Sequence, residues 1–270
     1  MIATNERSAN LAVDALLKRW NCRPSVGIIT GSGFRFPSHG LAQDVVHYRE
    51  VPGLHTSTVQ GHASELQLLH AFNQNVIVCS GRFHQYEGYS DDVCLQLVSL
   101  LYRLGIRTLI ITNAAGGLHW RYSVGDIALI TDTIDFTFQQ QVVANHAATT
   151  NKARENRALA HKSIIDRCTQ AGIALETGTY CQVAGPSYET RAEIRMLRAI
   201  GAELVGMSTV RELRYAEALG ISTIALSMVT NTLTDAEQRS VTHGEVLEVA
   251  ANAAGRLAGI INCCLEMEIR

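Results

Sequence analysis

No apolar run in this sequence approaches the ~20 residues needed to cross a bilayer. No basic segment leads into an apolar one at the start, so neither a membrane span nor a secretory leader is expected. Prolines number only four and no Ser/Pro-rich linker interrupts the chain, which predicts one domain over residues 1–270. Seven cysteines form an odd, scattered set without Cys-x-x-Cys, and Cys263 and Cys264 are adjacent. That usage fits a reducing compartment, so a cytoplasmic protein is expected. Charge of one sign is also lacking: 23 Lys+Arg against 25 Asp+Glu leave a formal −2. Such a chain has no field to gather a polyanion, and neither nucleic acid nor a membrane surface is an expected partner. Ten histidines occur without His-Glu-x-x-His or another zinc spacing, so no metal site is expected.

What is present is a repeated unit. Leu104-Gly105, Ala171-Gly172, Ile200-Gly201 and Leu219-Gly220 each close a helix-like stretch, and each is followed by a β-rich run. Glycine just past a helix takes the left-handed conformation that other residues resist. Units of this kind build a buried sheet with helices on its faces. The patterning predicts helices over 7–20, 91–104, 152–171, 190–200, 210–219 and 243–267. Residues 44–50 and 65–72 alternate as antiparallel strands do, so the expected fold is α/β with a mixed central sheet flanked by helices. Residues 136–151 are polar and poorly patterned, as in a surface loop.

The densest chemistry lies in Gly81-Arg82-Phe83-His84-Gln85-Tyr86-Glu87-Gly88, after the apolar Val76–Cys79. In extended backbone, alternate side chains share a face. Arg82, His84 and Tyr86 would then face one space, suited to an anion beside a sugar or base, with Phe83 and Gln85 opposite. Further clusters are also expected at strand ends. Thr30-Gly31-Ser32-Gly33 is an anion loop or a tight turn; Phe36 breaks the dinucleotide fingerprint, and no Gly-Lys-Ser/Thr follows. Thr112-Asn-Ala-Ala-Gly-Gly117 would let a ligand lie on the backbone, or would pack strand against helix. Thr190 and Glu193 have capping-box spacing, which leaves Glu189 outside the helix as a cleft acid or a solvated one. Thr209 and Glu212 repeat that spacing, placing Ser208 at a helix N-terminus as an anion ligand or a second cap hydroxyl. Asn231 ends the strongest strand, to hold a turn or a ligand. His243 opens the last helix. Strand C-termini are where open α/β sheets bind ligands.

Taken together with Gly61-His62-Ala63, these motifs resemble, in order and spacing over roughly residues 25 to 250, the trimeric purine nucleoside phosphorylases, relatives of the methylthioadenosine phosphorylases. The resemblance implies a homotrimer that splits a purine nucleoside with phosphate into free base and pentose 1-phosphate. Inorganic phosphate would be a co-substrate, with no metal or organic cofactor. By match, Ser32, His62, Arg82, His84, Ala114 and Ser208 would hold phosphate. Tyr86, Tyr188, Met207 and His243 would line the pentose, and Glu189 and Asn231 would bind the purine. His84, Glu189 and Asn231 would form the catalytic group. An amide at 231 implies 6-oxopurines such as inosine and guanosine, since methylthioadenosine phosphorylases carry Asp there. The chain departs from the family at Tyr188, Arg211 and Thr232. Its segment 136–155 is short and lacks an Arg-Phe element that closes a neighbour's pentose pocket. A methylthioadenosine phosphorylase and a non-catalytic nucleoside-binding homologue are the alternatives.

Overall fold

The structure, a computed structural model, describes residues 2–31, 33, 34, 36, 42–58, 63–138, 151–233 and 243–267. The elements run α1 (Ile2–Trp20), β1 (Val26–Thr30), β2 (Ala42–His47), β3 (Glu65–Ala71), β4 (Gln74–Ser80), α2 (Asp91–Cys94), α3 (Gln96–Leu104), β5 (Thr108–Gly117) and β6 (Ile127–Asp135). They continue through α4 (Asn151–Gln170), β7 (Glu176–Gln182), α5 (Arg191–Ala199), β8 (Leu204–Gly206), α6 (Val210–Ala218), β9 (Ser222–Thr232) and α7 (His243–Leu265). The glycines expected to end helices, Gly105, Gly172, Gly201 and Gly220, all take positive φ between α3 and β5, α4 and β7, α5 and β8, and α6 and β9.

Among the described residues all nine strands belong to one mixed sheet, in the order β2-β3-β4-β1-β5-β8-β7-β6-β9. β1 pairs in parallel with β4 and β5, while β2–β3 and β3–β4 are antiparallel, as the alternation of 44–50 and 65–72 predicts. β9 also pairs in parallel with β5, so β5-β8-β7-β6-β9 closes on itself. Two steps of the ring are reversed: β8 runs antiparallel to β5, as β6 does to β9. About half of the sheet is open and half is a closed ring.

Both faces of the central strands β1 and β4 are apolar because both are covered. Ile77 and Cys79 of β4 join a core with Leu16, Leu97, Leu101 and Leu213 of α1, α3 and α6. Val76 and Val78 face the other way, onto Ile164 and Cys168 of α4 and Leu257, Ile260 and Ile261 of α7. A third cluster seats α5 through Ile194 and Leu197 on Leu118 and Val205. The helix expected over 91–104 divides at Leu95 into α2 and α3. Residues 139–150 of the expected 136–151 loop lie outside the described residues.

Candidate active site

Strand register explains why a cavity opens where it does. Thr30 at the end of β1 pairs with Ser80 at the end of β4, and Ile29 lies beside Ile111 of β5. β8 approaches from the opposite direction, with Leu204 on Gly117 and Val205 on Gly116. The C-terminal ends of β1, β4 and β8 thus converge on the middle of β5 and leave a gap over Ala114. A cavity of about 370 Å³ fills it, and Arg82, His84, Ala114, Glu189, Ser208 and Asn231 contribute to its wall. Thr112–Gly117, expected just after a strand, is instead the distal half of β5 itself. The backbones are close here: a Cβ on Gly31 would stand 2.8 Å from Asn113 Cα. The Gly31 N–H is not offered to a ligand, because it donates to Thr112 Oγ1 at 3.1 Å.

One end of the cavity is built around Arg82, which is 1% exposed. Its Nη1 donates to Ser208 Oγ at 2.9 Å and to Thr209 Oγ1 at 2.8 Å. Its Nη2 donates to the Thr112 carbonyl. Thr209 Oγ1 also accepts from Asn113 Nδ2 at 3.0 Å, and Asn113 Oδ1 accepts from Ser227 Oγ at 2.8 Å. A chain of buried hydroxyls and amides therefore fixes the guanidinium before any ligand arrives.

The second expected capping box does not form. Thr209 adopts φ 89°, ψ −52° with no side-chain cap bond, and Val210 N–H donates to the Ser208 carbonyl at 3.2 Å. This is a γ-turn of the strained, positive-φ kind. An N-cap side chain needs extended backbone to reach the third amide, and here the turn aims Thr209 at Arg82 instead. Glu212 turns inward too, with Oε2 3.1 Å from Arg82 Nη1. The first box does form: Thr190 Oγ1 accepts from Glu193 N–H, and Glu193 Oε2 accepts from Thr190 N–H at 2.7 Å.

The octapeptide divides its faces as expected, by a different route. Backbone is extended only as far as His84; residues 85–87 form a 3₁₀ turn. That turn folds Tyr86 back onto His84, with ring centroids 4.7 Å apart and planes at 20°. Both rings border the cavity with Arg82, while Phe83 packs into the core. Glu87 Oε1 lies 2.9 Å from His84 Nδ1 and accepts the His84 backbone N–H at 2.9 Å. Burial favours a neutral Glu87, but hydrogen bonds from His84 and Thr58 outweigh it and hold the carboxyl at about 2. Glu87 is thus an anion across the working range, and it keeps the Nδ1 proton of His84 on its own side. Burial pushes the Tyr86 hydroxyl up to about 12, so it stays protonated.

At the other end, Glu189 is 7% exposed, and burial raises its carboxyl above the ordinary value. The Asn231 side-chain oxygen accepts from the Thr230 hydroxyl at 3.1 Å, and Asn231 borders the cavity. Tyr188 and Met207 also border the cavity, Tyr188 half exposed. Ser32 and His62 lie outside the described residues, as does the His243 side chain. Sequence reasoning missed Glu87, Asn113, Glu212 and Thr230. Only Glu87, three residues after His84, carried a local signal.

A buried cation fenced by hydroxyls faces a buried acid and an oriented amide across a space of nucleoside size. A family model described as Phosphorylase superfamily matches residues 25–266. Purine nucleoside phosphorylase 1 of Bacillus subtilis (strain 168) is 34% identical over 232 residues, 84% of this chain and 86% of that protein. A schistosoma purine nucleoside phosphorylase in complex with hypoxanthine superposes with TM-score 0.85 at 27% identity, covering 97% of both chains. Isoform 2 from Schistosoma mansoni, in complex with cytosine and ribose-1-phosphate, gives 0.86 at 28%, covering 97% and 96%. The chain belongs to the phosphorylase superfamily and, within it, to the purine nucleoside phosphorylases.

Proposed function

We propose that the cavity over Ala114 carries out phosphorolysis of 6-oxopurine nucleosides such as inosine and guanosine. The observation that carries this reading is the pairing, in one 370 Å³ cavity, of the Arg82–Ser208 cluster with Glu189 and Asn231. Phosphate would be held at the first end by Arg82, His84, Ser208 and the Ala114 backbone, with Ser32 and His62 completing the set. His84, its Nδ1 tied to Glu87, would present Nε2 to the nucleophile. The pentose would lie against Tyr86, Tyr188, Met207 and His243.

A phosphate oxygen attacks the sugar's anomeric carbon as the bond to the purine breaks, and the bonding electrons pass to the base. Negative charge grows at N7 and O6 of the leaving purine. Asn231, its amide oxygen engaged by Thr230, donates there; a preorganised donor of this kind is worth about 3 kcal/mol. Glu189 accepts from the base's ring N–H. Holding both reactants side by side removes much of the entropic barrier. The step uses phosphate as co-substrate and needs no metal or organic cofactor. We take residues 1–270 as one nucleoside phosphorylase domain, assembled as a homotrimer and working in the cytoplasm. All seven cysteines are free, as in a reducing compartment, which supports that location. Among the described residues no helix is long and apolar enough to cross a membrane.

The test mixes the protein with inosine, guanosine or methylthioadenosine, with and without phosphate, and follows free base. Phosphate-dependent release from inosine and guanosine is expected. Preference for methylthioadenosine would move the assignment to its phosphorylases, and no release from any nucleoside would favour a binding protein. Asn231→Asp should shift preference toward 6-amino purines; an unchanged ratio of kcat/KM values would remove Asn231 from the specificity role.

A further inference from the structure

We infer that Glu212 is a positioning residue that sets the phosphate affinity of the anion end, by fixing Arg82 and cancelling most of its charge. The inference rests on the phosphorolysis reading above. Arg82 and Glu212 side chains are 1% and 7% exposed and meet at 3.1 Å. Glu212 does not border the substrate cavity; it lines a small void of about 20 Å³ behind Ser208 and His84. Its contact with Arg82 is one of charge rather than of hydrogen bonding. The two hydrogens on Arg82 Nη1 are directed at Ser208 and Thr209 hydroxyls, and neither Glu212 oxygen has a hydrogen-bond partner among the described residues.

A buried carboxylate without hydrogen bonds is costly, and an apolar residue would serve packing at this place on α6 better. What it supplies is a fixed negative charge. Phosphate entering the cavity therefore meets a cation that is already neutralised. It is held mainly by oriented donors, loosely enough to exchange, and binding energy is not spent on the ground state.

The test is Glu212→Gln, which keeps shape and removes charge. Its phosphate KM is expected to fall about tenfold or more, from Coulomb's law at a protein-like dielectric, while the KM for inosine stays unchanged. Independently of turnover, added phosphate should raise Tm more in the variant than in the wild type, because ligand binding then supplies the missing counter-charge. Glu212→Asp, which keeps the charge, should return both readouts toward wild type. A Gln variant that folds only in phosphate buffer also supports the inference. It is overturned if phosphate KM and the phosphate-induced Tm shift in the Gln variant are unchanged or weaker. It is equally overturned if the Asp variant behaves as the Gln variant does, or if the Gln variant is unfolded with and without phosphate. The phosphorolysis reading fails by a different result, base release by wild-type protein without phosphate.

Discussion

Glu193 and Glu212 each stand three residues after a threonine, at the head of a nine-residue helix. Glu193 closes a capping box at the surface, its carboxylate accepting the Thr190 amide and hydroxyl. Glu212 is buried against Arg82, and its threonine is strained into a positive-φ turn to serve the same guanidinium. The two regions share a local pattern and differ in what stands opposite. α5 begins facing water, so the local hydrogen-bond offer decides. α6 begins facing a cation buried between β1, β5 and its own first turn, and the need to neutralise that cation exceeds the ~1 kcal/mol of a cap.

The comparison can be broken most forcefully at Arg82. Arg82→Met should lower kcat/KM on the order of 10³ by removing an anion clamp. It should also destabilise the fold by about 3–5 kcal/mol in denaturant titration, because Glu212 is left as an unpaired buried charge. Adding Glu212→Leu should recover most of the stability and none of the activity. A single Arg82→Met variant as stable as wild type would mean that the pair is not electrostatically coupled.

A subtler contrast sets Thr209→Val against Thr190→Val. The first strips an acceptor from two buried donors, Arg82 and Asn113, and should cost about 1–3 kcal/mol while raising the phosphate KM. The second removes an exposed cap and should cost about 1 kcal/mol with phosphate KM unchanged. Equal effects on KM would erase the distinction between the two helix starts.

The smallest effect expected is in acid. Backbone and then side-chain bonds from Thr190 lower the Glu193 carboxyl below its ordinary value. A lowered folded-state value means that the stabilisation is complete above the unfolded value of ~4.3. It fades as pH falls through the folded-state value. The Tm difference between wild type and Glu193→Gln should shrink over that range, and a difference independent of pH would contradict the ionic cap.

Much of the architecture was legible because it is local. Helix periodicity and the glycines at 105, 172, 201 and 220 predicted the αβ units, and each glycine takes the predicted backbone conformation. Direction was legible where 44–50 and 65–72 alternate, but not in the fully apolar runs, which do not encode it; the closed ring and the reversal of β8 came only from the structure. The cavity wall was foreseen at Arg82, His84, Tyr86, Glu189, Ser208 and Asn231, all of which border it. The network behind that wall was not. Asn113 and Thr209 meet across 96 positions of sequence, and Arg82 and Thr209 across 127. A β-branched residue at φ 89° also runs against every local preference that a sequence pattern can use.

Phosphate is the group that displaces the purine in the proposed reaction. Phosphorus NMR of wild-type protein with inosine and inorganic phosphate tests this most directly. The phosphate signal should convert to that of a pentose 1-phosphate ester, one ester per hypoxanthine released. Hypoxanthine release with the inorganic phosphate signal unchanged would contradict it.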